Sequence, residues 1–450
     1  MPRTTASQPP PAMPPHAHLW PDTARPDAAG RLRLGDCDVE RLARRFGTPL
    51  YVYDEATIRA RCRALRAAFA VRYPTSAVAY AAKAYLSPAL CRVIQAEGLE
   101  LDAASTGEVA LALAAGYPAA AIHLHGNFKP EAELAYALRA GVGRVVVDSL
   151  DELARVEALA AGLGIRQRVW LRLCPDVHTD THPHDQTGQA DSKFGLDLAS
   201  GAALEAARRA HAAPHLDLAG LHAHAGSHLR DPRPAAEVTA ALVDFAARLR
   251  EAEGIAIAEL SPGGGWGVAY QPGDADPDVA VYAAAVVDAL AAGLARHRLA
   301  PPRLVVEPGR AIVARAGVAL YTAGPRKAVP GGTTFLAVDG GMGDNIRPAL
   351  YGAEYFAALP ARMTATPAET VRIVGRYCES GDVLVKRVAL PVVAPGEIVA
   401  VPVSGAYQLA MASAYNLVPR PAVVWVRAGR ARLVRRRETL DDLLRLEMLD

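Results

Sequence analysis

From residue 54 onward, short apolar runs rich in β-branched residues alternate with longer helix-like stretches. The runs fall at residues 77–83, 99–105, 122–127, 144–149, 168–174, 218–227, 255–265 and 303–310. Helix-like segments lie between them, such as 88–97, 107–115, 131–139, 150–161, 204–212, 235–253 and 279–296, and another over 55–70 precedes the first run. Strand-length runs separated by helices predict parallel strands joined by crossovers. Eight of them predict an α/β fold with a TIM-like (β/α)8 barrel.

After residue 310 the rhythm changes. "FLAVDGG", "TVRIVGRYC", "EIVAVPV" and "AVVWVRAGRARLV" follow with few helices between them. They predict a second, mostly β domain. The expected boundaries are a barrel over 47–312 and a β domain built from 31–46 and 313–450, to which residues 32–38 add a strand. Residues 1–30 hold eight prolines and no periodic pattern, and are expected to form a disordered tail.

Composition narrows the class. The 450 residues carry a net charge of +2 with 51% hydrophobic residues, enough for a large core and too balanced for a nucleic-acid footprint. The run Arg435, Arg436 and Arg437 reads as a solvated strand end. Five scattered cysteines with no C-x-x-C exclude a disulfide framework and a zinc ribbon, and suggest a reducing cytoplasm. The first residues contain no apolar signal-peptide core. The apolar stretch 279–295 is alanine-rich and contains Asp288, so a soluble helix is expected rather than a membrane span.

Of 49 basic residues only five are lysines: Lys83, Lys129, Lys193, Lys327 and Lys386. Where arginine serves as the general cation, a remaining lysine marks chemistry that needs a neutral amine, such as a Schiff base. For any single lysine, chance survival is the plainer reading. Lys83 closes the first apolar run, "AVAYAAKAYL", and a buried lone ammonium tends to lose its proton.

Barrel chemistry gathers at the C-terminal ends of the strands. Here the successive runs end in or carry Lys83; Asp102 and Ser105; His125 and Asn127; Asp148; Arg172; "HAHAGSH"; "SPGGGWG"; and "EPGR". The glycines Gly263, Gly264 and Gly265 let backbone N–H groups approach an anion. Alone they read as a tight turn. With Glu307, Pro308, Gly309 and Arg310 on the neighbouring strand they suggest a phosphate cup. A phosphate cup and a lysine in a barrel suggest pyridoxal 5'-phosphate. His224 is then available to stack on the ring, Ser227 to meet the phosphate, and Glu307 to keep the ring nitrogen protonated. His224 by itself also reads as a core histidine. A competing reading puts zinc on His222, His224 and His228, but leaves Glu307, the glycines and the second domain without roles; no metal is expected.

In order between residues 48 and 416 stand "YAAKA", "LDAASTGE", "HGNFKP", "TGQADSKFG", "GLHAHAGS", "GGGWG", "EPGR", "RPALYG", "CESGD" and "GAYQLAMASAYN". This series resembles the fold-type III pyridoxal-phosphate decarboxylases, and among them the diaminopimelate decarboxylases. The resemblance implies an alanine racemase-like barrel with a β-sandwich or β-barrel domain. It implies that Lys83 holds the cofactor, that His224 stacks on it, and that Ser227, the glycines, Glu307 to Arg310 and Tyr407 contact it. Asp102 and Arg172 complete the expected cofactor set. By the same resemblance Arg310, Arg347 and Tyr351 hold a substrate carboxylate. Cys378 is the acid that protonates carbon after CO2 leaves, Glu379 reads the distal ammonium, and Tyr407 touches substrate as well. Cys378 taken alone reads equally well as an ordinary loop cysteine. "CESGD" is implied to reach a partner subunit's site, making a homodimer.

The implied reaction converts meso-2,6-diaminopimelate into L-lysine and CO2. A substrate with a remote carboxylate calls for arginine, and Arg310 and Arg347 supply it. The alternatives are a related decarboxylase acting on a carrier-bound glutamyl group, carboxynorspermidine or a D- or L-diamino acid, and a non-catalytic regulator on the same fold. An alanine racemase is disfavoured by Glu307. Two departures stand out: Cys174–Pro175 where the family usually shows Asn-Pro, and the long proline-rich start. His178, His182 and His184 are expected in a mobile lid.

Overall fold

The computed structural model describes residues 13–177 and 192–448. The chain divides into two compact units: Arg59–Val268 with Ala275–Val313, and Met1–Ile58 with Ala269–Asp274 and Ala314–Asp450.

In the first unit eight parallel strands close into a barrel. They are Ser76–Ala81, Glu100–Ala103, Ile122–Leu124, Arg144–Val147, Gln167–Cys174, Leu216–His222, Glu259–Ser261 and Arg303–Val306, each paired with the next, and Leu304 returns to Ser76. Except for Gln167–Cys174, the observed strands are shorter than the apolar runs, because the last residues of those runs leave the strand as loops. Serine caps begin three crossover helices: Ser87, Ser105 and Ser149 each accept an N–H of the first turn, satisfying a donor the helix cannot. Inside the barrel, Ala79, Val146, Trp170, Ala219 and Val305 form a packed layer. Gly220 is dictated there, since a Cβ would lie 2.6 Å from the Trp170 indole.

Polar residues near the strand starts close the barrel beneath that layer. Arg144 donates to both oxygens of Glu259 (2.6 and 2.5 Å), and the Trp170 indole donates to the same carboxylate at 2.7 Å. His123 meets Glu100 at 2.9 Å. Buried charges here are paired, as burial requires. The helix Val279–His297 is long and apolar enough for a membrane span, yet it buries Tyr282, Val286 and Leu290, and its Gly293 admits Val243 of the helix Arg233–Glu253.

The second unit is mostly sheet. Its long strand Gly317–Ala328 pairs with Leu50–Asp54, Thr334–Val338 and Ile398–Val401. Beyond Thr334–Val338 lie Glu369–Val374 and Val383–Leu390; beyond Leu50–Asp54 lie Ala422–Arg427 and Arg430–Arg435. Three expectations are corrected. Residues 47–58 do not open the barrel, because Leu50–Asp54 is buried at every position between two strands of this sheet. Residues 13–30 are not a tail: Leu19 and Trp20 are fully buried, and Arg25–Pro26 pairs with Leu32–Leu34. Residues 32–38 therefore join a small three-stranded sheet with Arg25–Pro26 instead of extending the large one.

Candidate active site

The barrel residues expected at the site do converge at the C-terminal ends of the strands. Lys83 sits on a 3-10 turn, Ala82–Ala84, directly after the first strand. It is exposed, which corrects its reading as a buried strand end. Ala82 and Ala84 on either side are buried, which fixes the turn. The eighth loop packs on this turn: the Ala81 N–H donates to the Pro308 carbonyl at 3.2 Å, and a Cβ on Gly309 would press on the Ala81 carbonyl at 3.0 Å.

Glu307 lies at the centre, almost fully buried. Its Oε2 is 2.9 Å from His222 Nε2, and its Oε1 accepts the Ser261 hydroxyl at 2.9 Å. His125 Nε2 is 3.6 Å from both Glu307 Oε1 and Asp102 Oδ1. Burial alone would raise the Glu307 carboxyl, but His222 and His125 outweigh it and hold the group well below the usual carboxylate range. Asp102 behaves oppositely. Burial, with the Glu307 charge nearby, pushes it up to about 8 despite Lys83. Of the two buried carboxyl groups, Glu307 carries the charge.

His224 is held well below its ordinary value by burial, then by Lys83 and Arg172, so it is a neutral ring. The Gly264 N–H reaches its Nδ1 at 3.4 Å. Arg172 is buried, with Nε 3.8 Å from Asp148 Oδ1 and its guanidinium 4.2 Å from the Phe194 ring centre. Arg310 donates to the Ser227 hydroxyl at 2.8 Å.

The glycine run has a steric cause of its own. A Cβ on Gly264 would lie 2.0 Å from the Glu307 carbonyl oxygen, and one on Gly265 would lie 1.9 Å from that of Gly226. Gly263 and Gly265 also have φ of +73° and +92°, which side chains disfavour. The seventh loop is thus pressed between the sixth and eighth.

Beneath the loops, Lys129 and Glu152 form a buried ion pair at 2.8 Å, and Lys129 also donates to the Gly126 and Val146 carbonyls. This lysine is committed to structure. Replacing Glu152 by glutamine strands its ammonium and should destabilise the protein by about 3–5 kcal/mol. A urea midpoint equal to wild type would contradict that.

In the second unit, Arg347 begins the short helix Arg347–Tyr351 and is buried. Its guanidinium lies 5.1, 6.0 and 5.8 Å from the ring centres of Tyr270, Tyr351 and Tyr355, and Nη1 donates to the Tyr355 hydroxyl at 2.5 Å. Tyr407 is half-buried with φ of +58°, next to buried Gln408, whose side chain accepts the Tyr51 hydroxyl at 2.8 Å. Cys378 and Glu379 are both exposed on a loop shaped by Asp382, which accepts the N–H groups of Tyr377 and Met342. The Cys378 N–H donates to Asn416 at 3.0 Å.

His222, His125 and Ser261 surround Glu307, and the sequence did not assign them to a cofactor site. For His222 a signal was present in "HAH", which sets it two residues before His224 at the end of the strand Leu216–His222. Among the described residues, the group able to approach a metal is His123, His125 and Glu307, not the histidines of the zinc reading. Both Glu307 oxygens are already engaged. His178, His182 and His184 lie outside the described residues.

Residues 55–314 match the family described as "Pyridoxal-dependent decarboxylase, pyridoxal binding domain". Over 440 residues the chain is 44% identical to the diaminopimelate decarboxylase of Mycobacterium tuberculosis, covering 96% of this chain and 98% of that one. The chain belongs to the diaminopimelate decarboxylase family. The Bacillus subtilis diaminopimelate decarboxylase is 41% identical over 426 residues, covering 95% of this chain and 97% of that one. The solved diaminopimelate decarboxylase from M. jannaschii, in complex with L-lysine, superposes with a TM-score of 0.88 at 33% identity, covering 95% of this chain and 98% of that one. Membership of this family accounts for the barrel, the mostly β second unit and the ordered run of motifs.

Proposed function

We propose that the protein decarboxylates meso-2,6-diaminopimelate to L-lysine with pyridoxal 5'-phosphate as cofactor. The observation that carries this reading is the buried Glu307, whose two oxygens meet His222 Nε2 and the Ser261 hydroxyl at 2.9 Å each. It is the environment that keeps a pyridine nitrogen protonated. The barrel residues fit the cofactor: Lys83 to bond it, His224 to stack on it, Ser227, Gly263 to Gly265 and Arg310 to hold its phosphate, with Asp102 and Arg172 around it; the family resemblance adds Tyr407. When bound, this group supplies an electron sink for the pair left behind as CO2 departs.

The remaining work belongs to side chains. Arg310, Arg347 and Tyr351 hold substrate carboxylate, and Tyr407 and Glu379 contact the rest of the substrate. The three tyrosine rings around Arg347 restrict its guanidinium, so less ordering is needed when a carboxylate binds. The Cys378 thiol gives a proton to the carbon that has lost CO2. An acid and a substrate-reading carboxylate exposed on their own loop support a homodimer in which "CESGD" completes the partner's site. The five cysteines are all free, which supports a cytoplasmic setting.

Lysine formation from meso-diaminopimelate by the purified protein supplied with cofactor tests the reading. Arg347→Ala sharpens it. Loss of a charge-assisted pair should raise KM by about 10- to 100-fold, with Arg347→Lys restoring only part, because an ammonium lacks the planar fork. Cofactor binding should be unchanged. An unaltered KM would remove Arg347 from substrate binding.

A further inference from the structure

The residues around Glu307 follow from strand register. His222 and Ser261 are direct partners in the parallel ladder of the sixth and seventh strands. Glu307 follows the eighth strand, and its backbone is bridged to Gly264. Three neighbouring strand ends therefore bring an imidazole, a hydroxyl and a carboxylate together inside the barrel. Each hydrogen has one place to go. Ser261 Oγ accepts the Gly263 N–H at 3.2 Å, which leaves its own proton for Glu307 Oε1. His222 Nδ1 is buried without a hydrogen-bond partner, while Nε2 faces Glu307 Oε2 at 2.9 Å. Nε2, which faces a carboxylate oxygen that can only accept, thus carries a proton and donates it. The His125 ring stands edge-on to His222, with centroids 4.9 Å apart, and fixes its plane.

We propose that His222 and Ser261 are positioning residues that hold Glu307 as an oriented carboxylate, and so set cofactor affinity through it. Each donor occupies one lone pair on one oxygen. The carboxylate is left with free lone pairs in a fixed plane to receive a ring N–H. Neither residue touches the cofactor in this account; both act through Glu307. The inference rests on the reading that Glu307 meets the cofactor's ring nitrogen.

The test is titration of cofactor-stripped full-length protein with pyridoxal 5'-phosphate, followed by visible absorbance. His222→Leu and Ser261→Ala should each weaken binding about 10-fold, the scale of one charge-assisted hydrogen bond. His222→Gln places an amide N–H near the position of Nε2 and should bind within about 3-fold of wild type. In a Glu307→Gln background, His222→Leu and Ser261→Ala should add no further loss, since residues acting through one group do not add. Unchanged affinity in both single variants overturns the inference. So do losses that persist undiminished in the Glu307→Gln background, because those report packing. Wild-type affinity in Glu307→Gln alone would instead overturn the assignment of Glu307. Should His222→Leu fail to fold by circular dichroism, Ser261→Ala, a one-atom deletion, decides the matter with the same background comparison.

Discussion

Replacing Lys83 by alanine should give a folded protein that shows no visible cofactor band and releases no CO2. The other lysines are engaged or placed elsewhere. Lys129 is tied to Glu152 in a buried ion pair. Lys193 lies over the Phe194 ring at 5.0 Å, and Lys386, at an exposed position of the strand Val383–Leu390, reaches the Gly352 carbonyl at 3.2 Å. Lys327 is exposed near the end of the strand Gly317–Ala328. Lys83 alone among the five stands at a barrel strand end, where its charge acts on Asp102 and His224. Lys83→Arg keeps the charge but cannot be deprotonated, so it should be equally inactive. Retained absorbance in either variant would show that a different lysine bonds the cofactor.

Cys378→Ala should keep the cofactor band and slow turnover by about 10²-fold or more, the scale of removing a general acid. Cofactor affinity and protein stability should stay at wild-type values, because the thiol is exposed and its loop is held by Asp382 and by Asn416 through backbone groups. Loss confined to kcat is the signature of a group used only after substrate has bound. Normal turnover would take Cys378 out of the mechanism. A loss of cofactor would make it a structural residue.

The barrel was legible because its logic is local. Each strand is a short run of mostly apolar residues, three crossover helices open at a serine cap, Ser87, Ser105 and Ser149, and each strand end carries its polar group within a few residues. The second unit was less legible because its pairing is not local. Nothing in "LYVYD" announces that Leu50–Asp54 lies between strands beginning at Gly317 and Ala422. The stretch 13–30 was misjudged from its prolines, while its anchors are the two apolar side chains Leu19 and Trp20. At the site, residue types pointed to Lys83, His224 and Glu307. The roles of His222 and Ser261 needed the register of neighbouring strands, which a single sequence does not display. The exposure of Lys83 also depends on where the strand stops and the turn begins, a matter of two residues.

The most direct measurement is CO2 release from a substrate panel by the purified protein with pyridoxal 5'-phosphate: meso-diaminopimelate, L- and D-lysine, L- and D-ornithine, L-arginine and carboxynorspermidine. Release from meso-diaminopimelate alone, with lysine formed in equal amount, is the predicted result. Release from a simple diamino acid or from carboxynorspermidine, with meso-diaminopimelate left intact, would contradict the account.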